Sequence, residues 1–104
     1  MSQKKKQIRE NFRNEVFSRD KNKCLKCGKP AVDAHHITDR NEMPNGGYVK
    51  ENGISLCADC HVKAEVWHLS GTLEYVEGYK PEDLYRLICS NYGLALGKSL
   101  ELGC

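Results

Sequence analysis

The chain of 104 residues contains no apolar run long enough to cross a membrane. Its basic start, MSQKKK, is not followed by the apolar segment of a signal peptide, so we expect an intracellular, cytoplasmic protein. Hydrophobic residues make up 39% and charged residues 29% of the sequence, which excludes a disordered chain and fits one domain over 1–104. Histidine is scarce, with four residues in all, yet His35 and His36 are adjacent in VDAHHITDR.

Cysteine is abundant for so short a chain, with six residues. Two C-x-x-C pairs, CLKC and CADC, lie 29 residues apart and consist of Cys24, Cys27, Cys57 and Cys60. In an intracellular protein this spacing predicts a tetrathiolate zinc site rather than disulfides. We expect Cys89 to be a small core residue on an apolar helix face and Cys104 to be exposed. Because so short a chain has a modest core, its fold should depend on the zinc.

The hydrophobic pattern predicts an α+β protein. Ile8, Phe12 and Val16 recur at four-residue steps, which indicates an amphipathic helix. If AVDAHHI is a strand, its two histidines point to opposite sides. The predicted elements are a helix at 6–19, strands at 31–37 and 53–57 with a polar loop between them, and helices at 58–71 and 79–93. The last helix should bury Leu84, Leu87 and Ile88, and the tail after it should continue as a frayed helix.

Charge is unevenly distributed along the chain, although the net charge is only +2. Residues 1–30 carry ten Lys or Arg against three acids, whereas residues 31–104 carry six against eleven. A basic segment of this kind can neutralise phosphates. The alternative is a solvated helix with a ragged, lysine-rich end.

The order of these motifs resembles one known family. Residues 24–65 contain C-x-x-C, then D-A-H-H-I, then G-G, then E-N-G-I-S-L-C-x-x-C-H. Together they resemble the HNH endonucleases, in the subgroup with an added zinc site. The resemblance implies a small zinc-stabilised ββα-metal core at 23–70, flanked by a basic N-terminal helix at 1–22 and a C-terminal helical extension at 71–104. It also implies a bacterial or phage-encoded protein in the host cytoplasm, with DNA as its partner.

Carried over to this chain, the resemblance gives four residues a role in catalysis. His35 looks like a ligand of the catalytic ion, His36 like the general base, and His61 like a second metal ligand on the central helix. Asn52 looks like the residue that braces the loop and the base histidine. The cysteines would hold a structural Zn²⁺, and the catalytic ion would be Mg²⁺, Mn²⁺ or another divalent ion. The residues expected to contact DNA are Lys4, Lys5, Lys6, Arg9, Arg13 and Arg19.

The third protein ligand of the catalytic ion stays open. His61, Glu65 and His68 are spaced so that all three share one face of the predicted helix. Glu65 occupies the position where many relatives have a further histidine, and its carboxylate suits Mg²⁺ or Mn²⁺. His68 is a further candidate for the third ligand, although it lies farther along the helix. Asp33 could orient a metal ligand by a hydrogen bond without binding the ion itself.

The reaction that the resemblance implies is hydrolysis of a DNA phosphodiester bond. His36 takes a proton from water, the hydroxide attacks phosphorus in line, and the cation stabilises the leaving 3′ oxygen. The sequence leaves open the target and whether the protein nicks one DNA strand or cuts both. Cutting both strands would require a homodimer, a larger phage or restriction assembly, or two cleavage events. The alternative is a zinc-stabilised nucleic-acid-binding module without catalysis. A zinc-ribbon protein-interaction domain is a weaker third reading, which the basic N-terminal third disfavours.

Overall fold

The computed structural model describes residues 3–102 and has the α+β architecture that the sequence predicts. Helix α1 spans Gln3–Arg19 and precedes two strands, β1 (Asp33–His36) and β2 (Gly53–Leu56). Three helices follow: α2 (Ala58–Leu69), α3 (Pro81–Leu87) and α4 (Tyr92–Glu101). No helix of the described part of the chain is both long and apolar enough to span a bilayer. Cys104 lies outside the described residues.

The two strands form an antiparallel sheet with helices on both faces. His35 pairs with Ile54 and His36 with Gly53, and β2 is buried along its whole length. Helix α1 lies directly on Gly53, where a Cβ atom would come within 2.6 Å of side-chain atoms of Phe12 and Val16. Only glycine therefore allows α1 to approach the sheet this closely. Phe12 and Val16 are buried, as their four-residue spacing predicts.

The end of α1 is anchored to β2 by a short polar network. The Arg19 guanidinium donates to both carboxylate oxygens of Asp20 at 2.7 and 2.8 Å and to the carbonyl oxygen of Gly53 at 2.7 Å. Asp20 in turn accepts from the buried backbone N–H of Ser55 at 2.9 Å. Because each buried polar group in this network has a partner, the helix end is held in register with the strand that precedes α2.

The segment between the strands contains three short 3₁₀ turns, Arg40–Glu42, Pro44–Gly47 and Lys50–Asn52. The prediction of a polar loop is incomplete, because Met43 and Val49 are buried. Gly47 has a φ of +63°, and a Cβ atom there would lie 2.6 Å from Nδ2 of Asn52. The glycine therefore allows both a left-handed backbone and the close approach of Asn52.

The C-terminal region differs from its prediction in three respects. The single helix expected at 79–93 is two helices, because Cys89 has a φ of +55° and Asn91 caps α4 by accepting from the N–H of Leu94 at 2.8 Å. Cys89 is exposed, not a core residue. Leu87 is 43% exposed, and Tyr85 is buried instead. The hydrophobic spacing does not reveal this cap, because the Asn91 side chain ends one helix and begins another by bonding the backbone in place of a helical partner.

Candidate active site and zinc centre

The four paired cysteines meet at one point, although 29 residues separate the two pairs. Cys24 and Cys27 lie between α1 and β1, while Cys57 and Cys60 lie at the start of α2. One sulfur atom from each cysteine lies within 4.8 Å of the others, and Cys27 Sγ is 3.5 Å from Cys57 Sγ. Four sulfur atoms this close fit the tetrahedral donor set of structural zinc.

The thiols differ in how easily they lose their protons. Burial raises the pKa of Cys60 to about 12, so its thiolate needs a compensating cation. Burial also acts to raise the pKa of Cys24, but the backbone N–H groups of Cys57, Cys27 and Lys26 outweigh it and lower that pKa to about 6. One ligand of the tetrad is therefore already biased toward the thiolate that zinc requires.

A tyrosine from the C-terminal region contacts the tetrad, which the sequence pattern did not indicate. Tyr79 donates its hydroxyl to Cys60 Sγ at 3.3 Å, and the ammonium of Lys26 lies 4.6 Å from the centre of the Tyr79 ring. Lys26 also donates to the carbonyl oxygen of Gly78 at 3.0 Å. No spacing rule links residue 79 with residue 60, so only the folded chain reveals this contact.

His35 and His36 face opposite sides of the sheet, as strand alternation predicts. His35 is 2% exposed and faces α2, where its Nδ1 lies 3.2 Å from Oε2 of Glu65. Burial lowers the pKa of His35, and the hydrogen bond with His35 lowers the pKa of Glu65. A neutral imidazole beside an ionised carboxylate is the protonation state in which both groups can bind a cation.

Three residues on this face could hold a metal ion together. The ligand atoms of His35, Glu65 and His68 all lie within 4.8 Å of one another, and the rings of the two histidines stack with centroids 5.1 Å apart. His68 also places its Nε2 2.9 Å from the backbone carbonyl oxygen of His36. The histidine named as a further candidate from the sequence is therefore close to the site.

His61 lies beside this group and contacts the same carboxylate. Its Nε2 is 3.5 Å from Oε2 of Glu65, and its Nδ1 is 3.1 Å from Oδ2 of Asp33. Both carboxylates are therefore within ion-pair distance of the His61 ring, one at each of its nitrogens. Asp33 thus lies where it can orient this histidine.

His36 lies on the other face, in an aromatic pocket between α1 and the loop. Its ring stacks on Phe12 with centroids 4.5 Å apart and meets the edge of Tyr48 at 4.7 Å. Its Nε2 is buried and has no hydrogen-bond partner. Burial lowers the pKa of His36 to about 4, with smaller contributions from His35 and Arg40, so the ring is neutral at pH 7.

Asn52 is completely buried and joins the loop after β1 to the start of β2. Its Oδ1 accepts from the N–H of Thr38 at 3.0 Å and from the hydroxyl of Tyr85 at 2.7 Å. Its Nδ2 donates to the carbonyl oxygens of Thr38 at 3.1 Å and Gly47 at 3.2 Å. Asn52 therefore fixes the backbone two residues beyond His36. Tyr85, which also bonds Thr38 Oγ1 at 2.7 Å, was not identified from the sequence.

The basic residues of the N-terminal segment do not all have the same environment. Arg9 lies 5.7 Å from the centre of the Tyr48 ring, next to the pocket of His36, and Arg13 lies 4.7 Å from the centre of the Phe17 ring. The lysines at 4–6 are exposed at the start of α1. Arg19 instead directs its guanidinium to Asp20 and to backbone carbonyl groups, so the fold itself uses this residue.

Comparison with known proteins agrees with this geometry. A family model described as HNH endonuclease matches residues 24–66, a range that contains the cysteine tetrad, both strands and α2 as far as Val66. Searches of curated proteins and of solved structures gave no match. The resemblance seen in the sequence motifs is thereby confirmed. Residues 24–66 of this chain match the HNH endonuclease family, and the activity that this family implies is in general that of a nuclease.

Proposed function

We propose that the protein is a metal-dependent DNA endonuclease that hydrolyses phosphodiester bonds, with His36 as the general base. One observation carries the proposal: two adjacent histidines lie in different environments on opposite faces of β1. His35 joins a cluster of cation ligands, whereas His36 lies apart from it in an aromatic pocket. Hydrolysis of a phosphodiester needs both a cation site and a separate proton acceptor.

The residues that would hold the catalytic ion are His35, His61 and Glu65. Both histidines point a ring nitrogen at the same carboxylate oxygen, at 3.2 and 3.5 Å. When bound, a divalent ion supplies charge stabilisation to the phosphoryl oxygens and the leaving oxygen. Asp33 lies 3.1 Å from Nδ1 of His61, where it can orient this ligand, and the family match to residues 24–66 supports this use of the cluster.

His36 would accept the proton of the attacking water. Its lowered pKa keeps the imidazole neutral at pH 7, which is the form that accepts a proton. Phe12 and Tyr48 hold the ring in place, and Asn52 fixes the backbone that follows it. A negatively charged phosphate bound beside the ring would raise its pKa toward neutrality, where proton transfer is most effective.

DNA would approach along α1 and the loop that carries Tyr48. The cations proposed to contact phosphate are Lys4, Lys5, Lys6, Arg9 and Arg13, and Arg9 lies nearest to the pocket of His36 through its contact with Tyr48. Since Arg19 is engaged within the fold, we expect it to support binding only indirectly. The whole chain would act as one nuclease domain, with a basic helix at 1–22, the zinc-bound core at 23–70 and a helical extension at 71–104.

The experiment is a supercoiled-plasmid cleavage assay with a panel of divalent ions, comparing wild type with His36→Ala. Loss of a general base should lower the rate about 10²- to 10⁴-fold. Val32→Ala is the matched control, because Val32 lies next to β1 but is 49% exposed. Both variants should retain their zinc. A His36→Ala protein that cleaves at the wild-type rate would overturn the assignment. A wild type that fails to cleave with every ion of the panel would favour the non-catalytic nucleic-acid-binding module.

A further inference from the structure

We infer that His68 is a further ligand of the catalytic ion, beside the proposed His35, His61 and Glu65. The compact set of His35, Glu65 and His68 would then select a transition-metal ion over Mg²⁺. The role of this site rests on the proposed function, but its composition can be measured without DNA. His68 lies beyond residues 24–66, the range that matches the family model, so the match assigns it no role.

The position of His68 on α2 suits a metal ligand. Glu65 and His68 form a Glu-x-x-His sequence, and residues three apart on a helix project from the same face. Pairs of this spacing supply carboxylate and imidazole ligands to one metal in helical di-iron proteins. Here the third ligand comes from the sheet, since His35 faces α2 from β1.

The hydrogen bond of His68 determines which of its nitrogens can bind a metal. Nε2 lies 2.9 Å from the carbonyl oxygen of His36, and a carbonyl oxygen only accepts. Nε2 must therefore carry the proton, which leaves the lone pair on Nδ1. A backbone carbonyl behind one ring nitrogen is the usual arrangement for a metal-binding histidine, because it fixes the tautomer and the ring orientation.

The three donors form a compact group in which His35 is buried and Glu65 and His68 are half-buried. All three ligand atoms lie within 4.8 Å of one another, and His35 is only 2% exposed. His61 reaches the same Glu65 oxygen at 3.5 Å but lies outside this compact group. The position of His68 therefore suits a ligand of the ion at least as well as that of His61, although the family motif indicates only His61.

The chemistry of the donors indicates the class of ion. Two imidazoles and one carboxylate are the ligands of catalytic zinc sites and of non-haem iron sites. Mg²⁺ prefers oxygen ligands and keeps several waters. With His61 as a further donor nearby, the site is rich in nitrogen, and we expect Zn²⁺, Co²⁺, Ni²⁺ or Mn²⁺ to bind in the presence of excess Mg²⁺.

The test titrates Co²⁺ into protein whose cysteine tetrad is already loaded with zinc, and follows the visible d–d absorption. Sulfur-to-cobalt charge-transfer bands in the near ultraviolet report any exchange at the tetrad. His68→Ala should weaken Co²⁺ binding by more than about tenfold, since even loss of a ligand's outer partner costs about that much. Leu69→Ala is the control, because this neighbour on α2 is 82% exposed and should bind Co²⁺ like wild type.

A second variant separates ligation from the hydrogen bond to His36. The amide N–H of His68→Gln can still donate to the His36 carbonyl oxygen, but its amide oxygen is a poor substitute for imidazole. Weakened Co²⁺ binding in both variants supports the inference. Wild-type affinity in His68→Ala or His68→Gln, no Co²⁺ binding by wild type, or displacement of Co²⁺ by equimolar Mg²⁺ would each overturn it. If His68→Ala binds Co²⁺ normally and DNA cleavage is retained, this inference is wrong but the proposed function stands. If Co²⁺ binds through His68 but the protein does not cleave DNA, the proposed function is wrong but this inference stands.

Discussion

At the scale of single residues, the pair His35–His36 shows how one peptide step places two identical side chains in different surroundings. The pleat of β1 sends His35 toward the donor groups of α2 and sends His36 toward Phe12 and Tyr48. Both rings are desolvated, so the pKa of each is lowered. The hydrogen bond and charge of Glu65 oppose this effect at His35, whereas at His36 only the charge of Asp39 opposes it. The alternation was predictable from the sequence, whereas the aromatic pocket was not, because it brings together residues 12, 36 and 48.

Burial of His36 predicts a specific loss of stability in acid. Its pKa falls from 6.5 in the unfolded chain to about 4 in the folded protein, so the unfolded state binds the proton first as pH falls. The stabilising effect of the neutral ring is therefore complete above pH 6.5 and is lost as pH falls toward 4. A shift of this size corresponds to about 3 kcal/mol of unfolding free energy, measurable by urea denaturation across that range.

The matched variant for this measurement is His36→Phe, which keeps a ring between Phe12 and Tyr48 but cannot titrate. Both proteins have the same cysteine tetrad, so we expect acid to weaken zinc binding equally in both, and the difference between their stability curves then isolates His36. We expect that difference to change by about 3 kcal/mol between pH 7 and pH 4. Parallel curves would contradict the assigned burial of the ring.

At the scale of secondary-structure elements, the zinc knuckles, both strands, α1 and α2 could be predicted, because spacing and hydrophobic period encode them. The region after α2 was predicted less well. The 79–93 stretch has the period of one helix, yet Asn91 caps a new one and Cys89 adopts a positive φ. The role of Tyr85 was not predicted, because it depends on a hydrogen bond from its hydroxyl to Asn52, a residue 33 positions away in the sequence. Hydrophobic periodicity indicates which face of a helix or strand is buried, but it does not indicate which distant polar atoms form a hydrogen-bond network.

The bond between Tyr85 and Asn52 makes α3 a support for the loop that follows β1. Removing only the hydroxyl, with Tyr85→Phe, should reduce the unfolding free energy by about 1–2 kcal/mol, since buried Asn52 Oδ1 and Thr38 Oγ1 both lose a partner. Urea denaturation gives this value directly. Tyr92→Phe is the control, because Tyr92 is 50% exposed and should change stability far less. Equal effects of the two substitutions would show that the buried network contributes little.

At the scale of the whole molecule, the cysteine tetrad links the segment before β1 to the start of α2. Within residues 3–102 the sheet has two strands, and the radius of gyration is 12.9 Å. A core of this size supplies little stability by itself. The buried cluster includes three of the cysteines themselves, Cys24, Cys57 and Cys60, packed with Leu56 and Leu84. The cysteine tetrad, the candidate zinc site, is therefore part of the core, and we expect the apolar packing around it to depend on bound metal.

This dependence predicts that loss of one thiolate unfolds the protein, whereas loss of a different cysteine does not. Structural zinc contributes about 10–16 kcal/mol in small zinc-finger peptides, which is comparable to the total stability of about 5–15 kcal/mol of an ordinary domain. Cys57→Ser should therefore abolish stoichiometric zinc binding and the cooperative thermal transition. Cys89→Ser removes an exposed thiol outside the tetrad and should leave both unchanged. Zinc content by elemental analysis and thermal unfolding by circular dichroism, with and without a strong chelator, measure the two properties. A Cys57→Ser protein that melts cooperatively at the wild-type temperature would show that apolar packing alone maintains the fold, and that the tetrad is dispensable for it.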